Sequence, residues 1–205
     1  MRKSLVLAMV AVLACSSLAL AGVPDPARSG CGTSGTGAST CHYFFRADGS
    51  AETLTLDVTL RDAFDTPVTS CSTSVTVSDG GGNAFCVCGG GGSLRLTGFS
   101  DGSGIVSFAV DNIGGRGSLD LAVTTHCAGA GNIEICTSTG VAFTSTDLDG
   151  SCNGGGTAST DVFDLGVFAG GLPPGYDVEA DFNCDAVVDV FDLGDLAGGL
   201  TVGCP

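Results

Sequence analysis

The chain has no tryptophan, two histidines and a single lysine, Lys3, so past its first residues every cation is an arginine. Nothing positive follows Arg116, although over half of the acidic residues do, and the formal net charge is -15. Such a surface repels nucleic acid and anionic lipid and favours divalent cations. The runs Gly80-Gly81-Gly82 and Gly89 to Gly92 precede no Gly-Lys-Ser/Thr and have no lysine to reach a phosphate, so they read as loops. His42 and His126 lie in no recognisable nucleophile motif. Glu52 and Glu134 would serve glycoside hydrolysis only if the fold held them about 5 to 9 Å apart across a cleft. The chain therefore reads as non-catalytic.

Long apolar runs are also scarce. The one that exists, Leu5 to about Leu20, follows Arg2-Lys3 and ends in the small-x-small triplet Ala19-Leu20-Ala21. That is the make-up of a secretory signal peptide over residues 1–21, with cleavage before Gly22. A lipoprotein signal ending at Cys15 is the competing reading. No other segment is apolar enough for a membrane span, so the expected location is extracellular, released or held at the cell surface by partners.

Cysteines 31, 41, 71, 86, 88, 127, 136, 152, 184 and 204 remain after that segment, an even set bound for an oxidising compartment. Disulfides are the default for such a set. Local candidates are Cys31 with Cys41, Cys127 with Cys136, and Cys71 with Cys86 or Cys88. A zinc site from Cys86, Cys88, Cys127 and His126 is the weaker alternative, because Cys86-Val-Cys88 lacks the usual two-residue spacer.

From Thr53 the chain alternates with period two: Leu54, Leu56, Val58 and Leu60 face one way, Thr53, Thr55, Asp57 and Thr59 the other. Similar runs follow at 68–77, 93–99, 104–110, 118–125, 132–136 and 141–144, separated by Gly, Asp and Asn clusters. Seven short strands so spaced predict an antiparallel β-sandwich. Two of its stretches, V-T-L-R-D-A-F-D-T-P-V from Val58 and S-D-G-S-G-I-V-S-F-A-V from Ser100, resemble the immunoglobulin-like modules of invasin-type bacterial surface proteins.

The acidic carboxyl-terminal part has a different grammar. In D-F-N-C-D-A-V-V-D-V-F-D, counted from Asp181, oxygen-bearing side chains stand at positions 1, 3, 5, 9 and 12: Asp181, Asn183, Asp185, Asp189 and Asp192. A loop of this spacing wraps calcium with those oxygens and one backbone carbonyl at position 7, here Val187. Leu193, Leu196 and Leu200 then recur at three- and four-residue steps, which predicts a short helix opening on the last ligand. The pattern resembles the calcium loop and helix of a type I dockerin repeat, a relative of the EF-hand. Dockerins carry the motif twice, and D-V-F-D-L-G-V-F-A-G-G-L from Asp161 nearly duplicates D-V-F-D-L-G-D-L-A-G-G-L from Asp189.

The first loop departs from the pattern. Asp147, Asp149 and Ser151 match positions 1, 3 and 5, but Asp161 and Asp164 arrive six residues late, after an insertion beginning at Cys152. Either the loop bulges and closes, or this site is degenerate. In the second loop Ala186 stands where glycine is usual, and an alanine at positive φ costs about 1 kcal/mol.

The expected architecture is thus mainly β: a signal peptide (1–21), an extended lead-in (22–50), a disulfide-bonded Ig-like sandwich (51–145) and a small α-helical dockerin-like module (146–205). The resemblance implies a cohesin-like or other cell-surface protein partner and a setting in polysaccharide-degrading assemblies. It also implies partner contact at positions 10 and 11 of each loop, which are Val162 and Phe163, and Val190 and Phe191. A structural alternative keeps calcium only to fold the module. Carbohydrate stands behind both, for want of tryptophan to stack on a sugar ring.

Overall fold

The computed structural model describes residues 22–35, 41–45, 54–81, 84–88, 90–152 and 160–200. The segment 1–21, Glu52 and Cys204 lie outside them. Alternating apolar residues become strands with one buried face: β3 (Leu54–Thr59), β4 (Ser72–Asp79), β6 (Ser93–Phe99) and β7 (Ile105–Val110). β8 (Ile113–Cys127) and β9 (Gly131–Ser145) form one long hairpin with two register shifts. Three short strands complete the sheets: β1 (Gly30–Gly35) and β2 (Tyr43–Phe45), both from the predicted lead-in, and β5 (Ala84–Val87).

One sheet has the order β1-β3-β7 and the other β2-β9-β8-β4-β6, with β5 also on β8. Their inward residues share a core that includes Leu54, Leu56, Val58, Val75, Val77, Phe108, Leu119, Leu121 and Phe143. The two stretches likened to invasin-type modules meet in space. Leu60 N donates to Gly104 O at 2.7 Å and Val68 N to Leu60 O at 3.0 Å. Gly104 has φ +73, and a β carbon there would sit 2.6 Å from Leu60 O, so only glycine fits.

Two helices follow, α1 (Val162–Gly170) and α2 (Val190–Gly199). They pack on a second core of Leu148, Phe168, Ala180, Phe182, Val188 and Leu196, joined by Phe44. Consecutive strand residues point to opposite faces. β2 therefore serves both cores, Phe45 in the first and Phe44 in the second, where its ring lies 5.0 Å from that of Phe182. Arg116 of β8 adds an ion pair to Asp177 at 2.6 Å and another to Glu179 at 3.1 Å. Among the described residues no helix is long and apolar enough to cross a membrane.

The disulfides correct the local pairings expected from sequence. The bonds are Cys31–Cys136, Cys41–Cys184, Cys71–Cys127 and Cys86–Cys152; Cys88 is disulfide-bonded as well. Sheet order is the reason. β4 lies beside β8, not β5, and its Ser72 pairs with His126, so the residues one step beyond, Cys71 and Cys127, face each other with Cα atoms 4.7 Å apart. The sulfurs of the alternative zinc site are thereby spent, since the thiolate is the metal ligand.

Candidate functional site

Both acidic loops close by the same hydrogen bonds. The position 3 amide donates to Oδ1 of position 12: Asp149 to Asp164 at 3.0 Å, Asn183 to Asp192 at 3.3 Å. The position 5 amide donates to Oδ1 of position 1, Ser151 to Asp147 at 3.3 Å and Asp185 to Asp181 at 3.2 Å. It also donates to position 3, at 2.8 Å to Asp149 and 2.9 Å to Asn183. The position 9 amide reaches Oδ2 of position 12, at 2.7 Å from Asp161 to Asp164 and 2.9 Å from Asp189 to Asp192. Position 11 donates back to position 9, Phe163 to Asp161 and Phe191 to Asp189.

The last two bonds are also capping boxes: Asp161 and Asp189 are the N-caps of α1 and α2, with Asp164 and Asp192 three residues on. The helix expected to open on the last ligand, Asp192, begins earlier, with Asp189 as its cap. Ligand and cap are compatible roles, because each carboxylate oxygen has two lone pairs.

Backbone conformation repeats too. Position 4 has positive φ in both loops, Gly150 at 62° and Cys184 at 57°, as does position 6, Cys152 at 41° and Ala186 at 71°. The six extra residues of the first loop thus fall between Cys152 at position 6 and Thr160 at position 8. Positions 1, 8 and 12 are buried in both loops: Asp147, Thr160 and Asp164 in one, Asp181, Val188 and Asp192 in the other.

Asp147, Asp149 and Asp164 bring carboxylate oxygens within 4.8 Å of one another. Burial first, and then the Asp164 carboxylate, push Asp147 up to about 7. Burial likewise raises Asp164 and, in the second loop, Asp192. Buried like charges are this costly unless a cation joins them. Each loop carries four carboxylates, joined by the Ser151 hydroxyl in the first and the Asn183 amide in the second. An all-oxygen donor set of this kind suits a hard cation such as calcium or magnesium. Two other groups of potential ligands, Cys41 with His42 and Cys184, and Cys86 with Asp147 and Cys152, have their sulfurs joined in disulfides.

The four candidate contact residues are on the surface in matching fashion, Val162 70%, Phe163 69%, Val190 69% and Phe191 69% exposed. Neither phenylalanine is therefore buried between the repeats. Each loop is also stapled to the strands: Cys152 at position 6 to Cys86 of β5, and Cys184 at position 4 to Cys41 just before β2. No protein-family model, no curated protein and no solved structure matches this chain.

Proposed function

We propose that the protein is a secreted, non-catalytic calcium-binding protein in which a dockerin-like module joins an Ig-like β-sandwich to a cohesin-like or other cell-surface partner. Calcium would be held by Asp147, Asp149, Ser151, Asp161 and Asp164 in the first loop. In the second, Asp181, Asn183, Asp185, Asp189 and Asp192 would serve with the Val187 carbonyl. In the first loop the ion would neutralise the carboxylates that gather at positions 1, 3 and 12, Asp147, Asp149 and Asp164, and in the second the buried Asp181 and Asp192. The observation that carries this reading is the repetition of one hydrogen-bond set, one pair of positive-φ positions and one exposed Val-Phe pair in two loops of different length. A shared geometry that survives a six-residue insertion points to a shared ligand.

The partner reading rests on Val162-Phe163 and Val190-Phe191. Exposed aromatic residues of this kind anchor interfaces, and two equivalent copies offer a partner two ways to dock. A structural reading, in which calcium only orders the module, is favoured by its attachment: Phe44 and two disulfides hold it against the strands. Capture of the full chain by a panel of immobilised cohesins, in calcium and in EDTA, separates the two. Calcium-dependent capture supports docking. Calcium-dependent melting without capture supports the structural role, and indifference to calcium in both assays contradicts the proposal.

A further inference from the structure

The solvent face of the six-stranded sheet carries a second candidate site, unconnected with the acidic loops. Directly paired residues of neighbouring strands point to the same side, and the register lays three rows across β6, β4, β8 and β9. The first is Phe99, Ser72, His126 and Asn132. The second is Thr97, Ser74, Thr124 and Glu134, and the third begins with Arg95 and Thr76. A groove of about 280 Å³ opens over part of these rows, from Arg95 to Asn132; Phe99 and Glu134 stand outside its lining, and none of the lining residues is acidic.

In a chain of net charge -15 this is a local reversal of sign. Arg95 is exposed, and its guanidinium meets Ser74 Oγ at 3.4 Å, which leaves its remaining donors to solvent. The carboxylates sharing this face, Glu134 on β9 and Asp120 on β8, stand roughly 12 to 16 Å from Arg95 by strand spacing. They are too far to neutralise it across water. Hydroxyls of Ser72, Ser74, Thr76 and Thr124 line the floor between them. At the opposite end of β6 the Phe99 ring is 71% exposed. Phe99 stands four positions from Arg95, roughly 13 Å along the strand, a span that an oligosaccharide of several sugars can bridge.

We infer that this face binds an acidic polysaccharide. The Phe99 ring, at the edge of the groove, stacks on one sugar, the hydroxyl floor with His126 and Asn132 exchanges hydrogen bonds with sugar hydroxyls, and Arg95 pairs with a carboxylate or sulfate on a unit further along the chain. A bare anion would use Arg95 alone and leave the exposed Phe99 ring without a role. A neutral glycan would leave the guanidinium unpaired.

The test uses the full-length protein at fixed calcium, titrated with a hyaluronan tetrasaccharide, a chondroitin sulfate tetrasaccharide, cellotetraose and sodium sulfate. The expected result is binding of one or both charged tetrasaccharides, weakened by salt, with the carboxylate and sulfate sources told apart by which binds. Arg95→Gln and Phe99→Ser should each weaken it about tenfold, the loss of a charged hydrogen bond or a stacked ring. Both side chains are exposed, so both variants should melt with the wild type. Equal binding of cellotetraose, equal loss to sodium sulfate alone, insensitivity to Arg95→Gln, or no binding of either charged tetrasaccharide would overturn the inference.

Discussion

The two acidic loops differ in length by six residues, yet they close on the same carboxylates. The difference teaches where such a loop is constrained. Positions 1, 3 and 5 are tied to one another, and positions 9, 11 and 12 to each other and back to position 3. The bonds seen in both loops do not involve position 7, whose amide in the second loop, Val187, donates instead to Asp185 Oδ1 at 2.9 Å, and the extra residues of the first loop fall between positions 6 and 8. Loop closure entropy grows slowly, at about 0.6 kcal/mol per doubling, so lengthening there is a small cost beside the two carboxylates buried in each loop.

The sharpest way to break the equivalence is to remove one position 12 side chain at a time. Asp164→Ala and Asp192→Ala each delete the acceptor of several backbone amides as well as a ligand. Each should lower metal-free stability by about 3 kcal/mol and abolish one calcium site while sparing the other. Urea unfolding and calorimetric stoichiometry on the full chain read both effects. If one variant leaves the stoichiometry unchanged, the loops are not equivalent.

The disulfides offer a second cut. Replacing Cys86 and Cys152, or Cys41 and Cys184, with serines should cost about 2 to 4 kcal/mol. Because the pairs enter different loops, each should weaken calcium at its own loop and not at the other. Equal weakening of both loops by either pair would mean the staples act on the whole module instead. A third comparison concerns the surface. Phe163→Ser and Phe191→Ser should change stability by less than about 0.5 kcal/mol, as exposed substitutions do. Either alone should leave partner capture largely intact, since the other copy remains, and the double variant should lose it.

A smaller effect than that of the staples is expected at Ala186. Glycine there should stabilise the protein by about 1 kcal/mol by relieving an alanine at φ 71°, measured by thermal melting in calcium. No change would mean the loop has already relaxed around the alanine.

Much of this was legible in the chain. Period-two alternation located β3, β6 and β7 closely, because each has one face in the core, and it placed β8 and β9 in part. The near repeat at Asp161 and Asp189 located both helices. β1 was missed because Gly-Cys-Gly-Thr-Ser-Gly has no alternation to see, and β2 because three residues cannot display a period. The disulfides were misread because proximity along the chain says nothing of which strands become neighbours. That Phe44 and Phe45 serve different cores was likewise invisible, as it depends on β2 lying beside β9.

Calorimetric titration of calcium into the metal-stripped full-length protein tests the central claim most directly. The account predicts two ions per chain, bound with a rise in melting temperature. A single ion, or none, would contradict the equivalence of the two loops and the reading built on it.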